Sequence, residues 1–332
     1  MSRATAMKGT ARHAAGALFL AVHLLSPVAG HAAETFPVRP LRMIAPFSAG
    51  GGADTVARMV AQKMSDTLSR QVIVDNRPGA SNIIGTELTA RAAPDGYTFM
   101  IANTVHAINA GLFRKLPYDP IKDFAPISMI ATTPFMLIVH PSLPVKSVRE
   151  LVAVAKAKPG QINYASAGTG TAAHLAMEMF RVGTGIDIVH IPYKGISQAL
   201  IDTVAGTTQA MILSPITALP QVKAGRVRAM AVTTAQRSNA LPDIPTLRES
   251  GVAGYEFSSW YGLLAPRAVP GTIIARLNGA VLTSLQQKDL RDQLAAQAAE
   301  PAASTPAQFG ERLRQEIKRF SDLVRQIKLQ VK

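Results

Sequence analysis

From residue 36 onward the chain alternates short, nearly continuous apolar runs with stretches in which apolar residues recur every three or four positions. The run "LRMIAPF" (41–47) has the length and continuity of a buried strand. A helical face of Val56, Met59, Val60, Met64 and Leu68 follows it over 54–69. "QVIVDNRPG" (71–79) and "YTFMIAN" (97–103) read as further strands, the second entered through the turn signal Pro94-Asp95-Gly96. Beyond them, "PFMLIVHPSLP" (134–144) leads to a helix over 148–157, "INYASAG" (162–168) to one over 171–182, and "IDIVHIPYKG" (186–195) to "ISQALIDTVAG". "TQAMILS" (208–214) and "VRAMAVTT" (227–234) complete the series. The closing helix carries the most signals: Thr305 caps it, Pro306 occupies its first turn and Gln308 completes a capping box. Phe309, Leu313, Ile317, Phe320, Val324 and Ile327 line one of its faces. Strands alternating with helices predict an α/β fold of parallel, doubly wound sheets, with no internal repeat or low-complexity tract.

The amino end departs from this pattern. Arg3, Lys8 and Arg12 precede an apolar stretch over 14–30, and the small residues Gly30, Ala32 and Ala33 follow. That order of charged, apolar and small regions predicts a secretory signal peptide over 1–32; the apolar stretch is shorter than the roughly 20 residues a membrane span needs. No later stretch is long and apolar enough to span. Export to the periplasm and a soluble mature chain are therefore expected. Removal of the segment lowers the formal charge from +14 to +11. A basic balance suits anionic partners, but the basic residues are scattered and aromatic residues make up only 5%, which speaks against nucleic acid. The absence of cysteine excludes disulfides, thiolate metal sites and cysteine nucleophiles. Stability must come from a large core, which at this length is usually split between two domains.

Two loops stand out against this frame. "PFSAGGGAD" lies between the first strand and the first helix, and "YASAGTGTAAHL" (164–175) repeats the strand, small-residue loop and helix order in the second half. In open α/β sheets, ligands bind beyond the carboxyl ends of strands, where main-chain N–H groups and helix amino-termini favour anions. Neither loop carries Lys or Arg. The predicted chemistry is therefore backbone capture of a carboxylate, assisted by the hydroxyls of Ser48, Ser166, Thr169 and Thr171. The plain alternative is a pair of tight turns with capping residues.

Sharper motifs fail on their context. Gly168-Thr169-Gly170-Thr171-Ala172-Ala173 matches a dinucleotide fingerprint, but the acid that should end the next strand, Asp187, begins it instead. "YASAG" resembles a nucleophile elbow on Ser166, with His174, His190 and Asp187 as candidate partners, yet Tyr164 stands where the strained turn needs glycine. His106, His140, His174 and His190 show no metal-binding spacing. His174, in the first turn of its helix, could donate to an anion or simply face the helix surroundings.

The stretches "PLRMIAPFSAGGGADTVARMVAQKM", "VIVDNRPGA", "ARAAPDGYTFMIAN", "YASAGTGTAAHLAMEMF", "HIPYKGISQALIDTVAG", "LPDIPTLRESGVAGYE" and "WYGLLAPRAVP" occur in an order that resembles the Bug-type extracytoplasmic solute receptors. These are the substrate-binding proteins of tripartite tricarboxylate transport systems, and the resemblance runs from about Phe36 to the carboxyl end. It implies a two-domain periplasmic binding protein fold that closes on a ligand. One domain would comprise 34–133 and 255–332, the other 134–254, with crossings near "MIATTPFM" and "GYEFSSWYGLL". The residues implied to bind ligand are Phe47, Ser48, Ala49, Gly50, Gly51 and Asp54 in the first loop. The second supplies Ala165, Ser166, Ala167, Gly168, Thr169, Gly170, Thr171 and His174. Asn103 and Ser214, which end the strands 97–103 and 208–214, complete the set. A small mono- or dicarboxylate is the expected partner, with membrane transport subunits beyond it. No cofactor, metal, nucleic acid or catalysis is expected, and the chain is expected to be a monomer. The reading from another class is an exported serine hydrolase using Ser166. Three departures from the family pattern bear on the ligand. Ser48 replaces a frequent proline, "GASNIIGTE" replaces "GAGGNIGTE", and Gln209 and Leu213 replace frequent aspartates, predicting a less polar pocket floor.

Overall fold

The computed structural model describes residues 36–50, 52–238 and 241–329. The expected signal peptide lies outside them. In chain order the first elements are β1 (Leu41–Ala45), α1 (Gly52–Leu68), β2 (Val72–Asn76), α2 (Ile83–Ala90), β3 (Thr98–Asn103), α3 (Thr104–Leu112) and β4 (Phe124–Pro134). The middle holds β5 (Met136–Val139), α4 (Val148–Ala157), β6 (Asn163–Ser166), α5 (Ala172–Thr184), β7 (Val189–Pro192), α6 (Ile196–Val204), β8 (Ala210–Leu213), α7 (Pro215–Lys223) and β9 (Arg228–Val232). The chain ends with β10 (Ser258–Pro266), α8 (Gly271–Gln286), α9 (Lys288–Ala296), β11 (Glu300–Pro301) and α10 (Pro306–Gln326).

These strands form two sheets, ordered β11-β4-β10-β3-β1-β2 and β7-β6-β8-β5-β9. Both are mixed rather than all parallel. β1 runs parallel to β2 and β3, but β10 is antiparallel to β3 and β4. β6 runs parallel to β7 and β8, but β5 is antiparallel to β8 and β9. The reason is connectivity. A chain that leaves one sheet and later returns must cross in opposite directions, so the outgoing β4 and the returning β10 pair antiparallel, from Ser258↔Pro134 to Pro266↔Phe124. The predicted strand over 134–144 is correspondingly divided: Pro134 ends β4 in the first sheet, and β5 begins the second one residue after Phe135.

Three apolar layers follow from the two faces of each sheet. Leu41, Met43, Val56, Val60, Met64, Leu277 and Val281 pack on one side of the first sheet. Met136, Ile138, Met211, Leu213 and Leu200 pack on one side of the second. Between them, a shared layer runs from Ile44, Met100 and Phe124 through Trp260 and Phe309 to Tyr164, Phe180 and Ile212. α10 closes this layer. Its capping box is formed as the sequence predicts, with Thr305 Oγ1 accepting from Gln308 N at 3.2 Å and Gln308 Oε1 accepting from Thr305 N at 2.9 Å. Phe309, Leu313, Phe320 and Val324 are buried, and Ile317 is partly so.

The two crossings are tied to each other. Thr233, fully buried, accepts Phe135 N–H on its hydroxyl (2.9 Å), donates its own N–H to Phe135 O (3.0 Å) and accepts Phe257 N–H on its carbonyl (2.8 Å). The Phe257 ring packs edge-on against Phe135 and Phe320, each at 5.6 Å. Arg319 on α10 donates to Glu256 O at 2.7 Å.

Candidate functional site

The first candidate loop, 46–51, leaves β1 at its carboxyl end and enters α1. Gly50 has φ +82°, a left-handed conformation that favours glycine, and open space where a Cβ would stand. Asp54, in the first turn of α1 and buried, holds the loop from beneath. Its Oδ2 accepts from Gly50 N (2.9 Å) and Arg58 Nε (3.0 Å), and its Oδ1 accepts from Asn76 Nδ2 (2.8 Å). Asn76 Nδ2 also donates to Phe47 O at 3.1 Å, and Arg58 Nη2 to Asn76 Oδ1 at 2.8 Å. Burial pushes the Asp54 carboxyl up, but the bonds from Gly50, Arg58 and Asn76 outweigh it and hold the group below the ordinary carboxylate range. Asp54 is thus engaged with the loop itself. Phe47 is half-buried, and Ser48, Ala49 and Gly50 are exposed. The N–H groups of Ser48 and Ala49 make no hydrogen bond among the described residues. Gly51 lies outside them.

The second loop joins β6 to α5 and is held from beneath by two histidines. Ser166 is fully buried; its Oγ accepts Gly168 N–H at 3.1 Å and lies 2.7 Å from His190 Nε2. Gly168 has φ +133°, and a Cβ there would stand 3.2 Å from Tyr193 O. Thr171 caps α5, accepting His174 N–H at 3.4 Å while its Oγ1 donates to Gly168 O at 2.8 Å. Gly170 donates its N–H to His174 Nδ1 at 3.0 Å. Ala165 is buried in the outer layer of the second sheet, whereas Ala167 and Gly168 are half-buried and Thr169 is exposed. The N–H groups of Thr169, Ala172 and Ala173 find no acceptor among the described residues.

Sheet register puts the two loops on related edges. Tyr261↔Asn103 and Ser258↔Pro134 place the carboxyl end of β3 beside a crossing. Met136↔Leu213 and Met136↔Val232 do the same for β8 and β9. Asn103 caps α3 by accepting Val105 N–H at 3.1 Å, and its Oδ1 also accepts from Asn82 Nδ2 at 3.2 Å. Ser214 precedes α7 without a side-chain cap bond. Loop 2 also touches the first sheet's helices: a Cβ on Gly170 would lie 2.5 Å from Leu112 Cδ2, at the end of α3.

The expected less polar floor is not found at the two positions named for it. Gln209 sits at the opposite edge of the second sheet, where its Oε1 accepts from Asn163 N and its carbonyl from His140 N, each at 2.9 Å. Leu213 faces the outer layer with no exposure. Fold topology decides this, because β8 enters its sheet at residue 210 and turns Leu213 away from the shared layer. A hollow of about 850 Å³ lies on the outer flank of α1 and β2, lined by Arg58, Gln62, Asp66 and Arg70; it includes none of the loop residues. Sequence reasoning did not anticipate Arg58 or Asn76 in the site, and marked Asn82 only through the departure "GASNIIGTE". The Asp54–Arg58 spacing of four on a helix was the available signal for the first of them.

Ser166 and His190 resemble a catalytic pair only in their separation. The hydroxyl is sealed from solvent and also engages Gly168 N–H, no carboxylate is bonded to His190 among the described residues, and Asp187 is exposed at the start of its segment. No cluster of three or more His, Asp or Glu suited to a metal occurs among the described residues.

Two mixed α/β sheets joined by paired crossings, with N–H groups in the loops after β1 and β6 that are unbonded among the described residues, make this a solute-binding protein of the two-lobed periplasmic type. Residues 56–329 match the family described as tripartite tricarboxylate transporter family receptor, and the chain belongs to that family. It is similar to the protein BugT of Bordetella pertussis (strain Tohama I), at 36% identity over 296 residues, which cover 89% of this chain and 91% of that protein. Among solved structures it resembles Rpa4515 of R. palustris, determined with adipate, at TM-score 0.76 and 35% identity, covering 87% of this chain and 97% of that one. It also resembles MatC of Rhodopseudomonas palustris, determined with bound malate, at TM-score 0.74 and 32% identity, covering 87% and 100%.

Proposed function

We propose that this receptor captures a small organic mono- or dicarboxylate between its two sheets, without chemical turnover, and presents it for uptake or sensing. The observation that carries the reading is the pair of loops whose N–H groups are unbonded among the described residues: Ser48 and Ala49 on one side, Thr169, Ala172 and Ala173 on the other. Each group of N–H donors stands at or beside a helix amino-terminus, where fixed dipoles stabilise an anion without a cationic side chain. The adipate and malate bound by the relatives support the same ligand class. The lobes are proposed as 34–133 with 255–332, and 134–254. Residues 1–32 are proposed as the export signal, membrane transport subunits as the partners, and a monomer as the working form. Ligand contacts are assigned to 47–51, Asn103, 167–171 and Ser214, with Asp54, Ser166 and His174 supporting the loops from below. Isothermal titration with adipate, malate and a panel of mono- and dicarboxylates tests this: saturable binding with the acid recovered unchanged is expected. No heat with any member, or conversion of the acid, would overturn it.

A further inference from the structure

His174 and His190 stack face to face beneath loop 2, with ring centroids 4.0 Å apart and planes 17° from parallel. His174 is 4% exposed. Because a backbone N–H can only donate, the 3.0 Å contact from Gly170 N fixes His174 Nδ1 as an acceptor, so the ring is neutral and carries its proton on Nε2. His190 in turn lies 2.7 Å from the Ser166 hydroxyl, which accepts Gly168 N–H. The two imidazoles therefore govern two of the loop's N–H groups, those of Gly168 and Gly170, and turn them inward. The neighbouring N–H groups of Thr169, Ala172 and Ala173 stay unbonded among the described residues.

We infer that the His174–His190 stack, with His174 neutral, is the positioning element of loop 2: it draws the Gly168 and Gly170 N–H groups inward and so sets the loop shape in which the remaining N–H groups meet a carboxylate. This rests on the reading of loop 2 as a ligand loop. Both histidines are positioning residues that act through Gly170 and Ser166. An imidazolium has no acceptor, so protonating His174 would orphan the Gly170 N–H and place a cation against it. The groups facing His174 are His190 from β7, Tyr164 from β6 at 6.3 Å, and Glu178 and Arg181 from its own helix; α3 presents the apolar Leu112 to the loop. Glu178 is already engaged, accepting from Tyr164 OH at 2.7 Å and pairing with Arg181 at 2.8 Å. Burial, then His190, push the His174 ring down to about 4, while Glu178 opposes them. His190 is also lowered, by burial against the same opposition. Since the folded value of His174 lies below the ordinary 6.5, the neutral form's advantage is complete above that pH and erodes as pH falls from 6.5 towards 4.

The test is nuclear magnetic resonance on the ligand-free chain, together with two variants. The Gly170 amide resonance should move with the His174 ring resonance, at one midpoint near pH 4 and well below 6.5. At pH 7.5 His174→Asn, whose Oδ1 reproduces the Nδ1 acceptor, should bind adipate within about threefold of wild type. His174→Phe, which keeps the ring but leaves the Gly170 N–H unpaired, should bind about tenfold or more weakly. A Gly170 resonance that ignores the His174 titration, or His174→Phe binding as wild type does, would overturn the inference. If wild type binds none of the acids, the proposed function fails, and the two resonances still decide the positioning role without ligand.

Discussion

Substituting Asp54 by asparagine should uncouple loop 1 from α1 while leaving the rest of the fold intact. The carboxylate faces three donors, Gly50 N–H, Arg58 Nε–H and Asn76 Nδ2–H, all between 2.8 and 3.0 Å. Asparagine has the same shape but one acceptor oxygen, so its amide nitrogen must face at least one of these donors. Hydrogen bonds to a charged group contribute about 1.5–3 kcal/mol each, and an exposed partner such as Arg58 contributes towards the lower end or less. A local loss of about 2–3 kcal/mol is therefore expected, including the attraction between the carboxylate and the α1 dipole. If that loss falls on the assembled form of loop 1, affinity for adipate should drop by about 30- to 150-fold through the smaller competent fraction.

Calorimetric titration of wild type and Asp54→Asn, paired with urea unfolding of both, separates local from global damage. The expected result is a large fall in affinity with an unchanged unfolding slope. Affinity within twofold of wild type, in a variant that unfolds normally, would refute the role of Asp54 in shaping the loop. Acid offers a second reading of the same group. Its folded value is depressed, so its contribution is present above the ordinary carboxylate value of 3.8 and is lost as pH falls through the lower folded value.

Gly168→Val should abolish adipate binding and lower the unfolding midpoint while the chain still folds, because valine resists φ +133° and its branches would meet the Tyr193 carbonyl; calorimetry showing wild-type affinity would count against backbone capture. Affinity should change only mildly between low and moderate salt, since the proposed donors are fixed dipoles and the Arg58 charge is shared with Asp54; a fall of several orders of magnitude would reveal a cationic site. Small-angle scattering should give a smaller radius of gyration with saturating adipate, as two donor sets on separate sheets converge on one molecule; superimposable profiles alongside confirmed binding would point to a preformed site on one sheet.

Local sequence determined the elements whose cause is local. The capping box at Thr305, the apolar face of α1 and the strand–loop–helix order at both glycine loops depend on residues within one or two turns, and the structure has them where the pattern put them. The antiparallel insertion of β10 had no such local signature, because it follows from a return crossing whose partner strand lies more than a hundred residues away. The same distance hid the support of the loops. Asn76 reaches Asp54 from the neighbouring strand, and His190 reaches Ser166 from the next parallel strand over a separation of 24 residues. Gln209 shows the converse, a residue whose type suggested a pocket and whose position in β8's approach sends it to the far edge. Backbone donors are available wherever glycine and a helix start occur in sequence. Which of them stay unbonded depends on the side chains that neighbouring strands deliver beneath the loop, and that delivery is a property of sheet register.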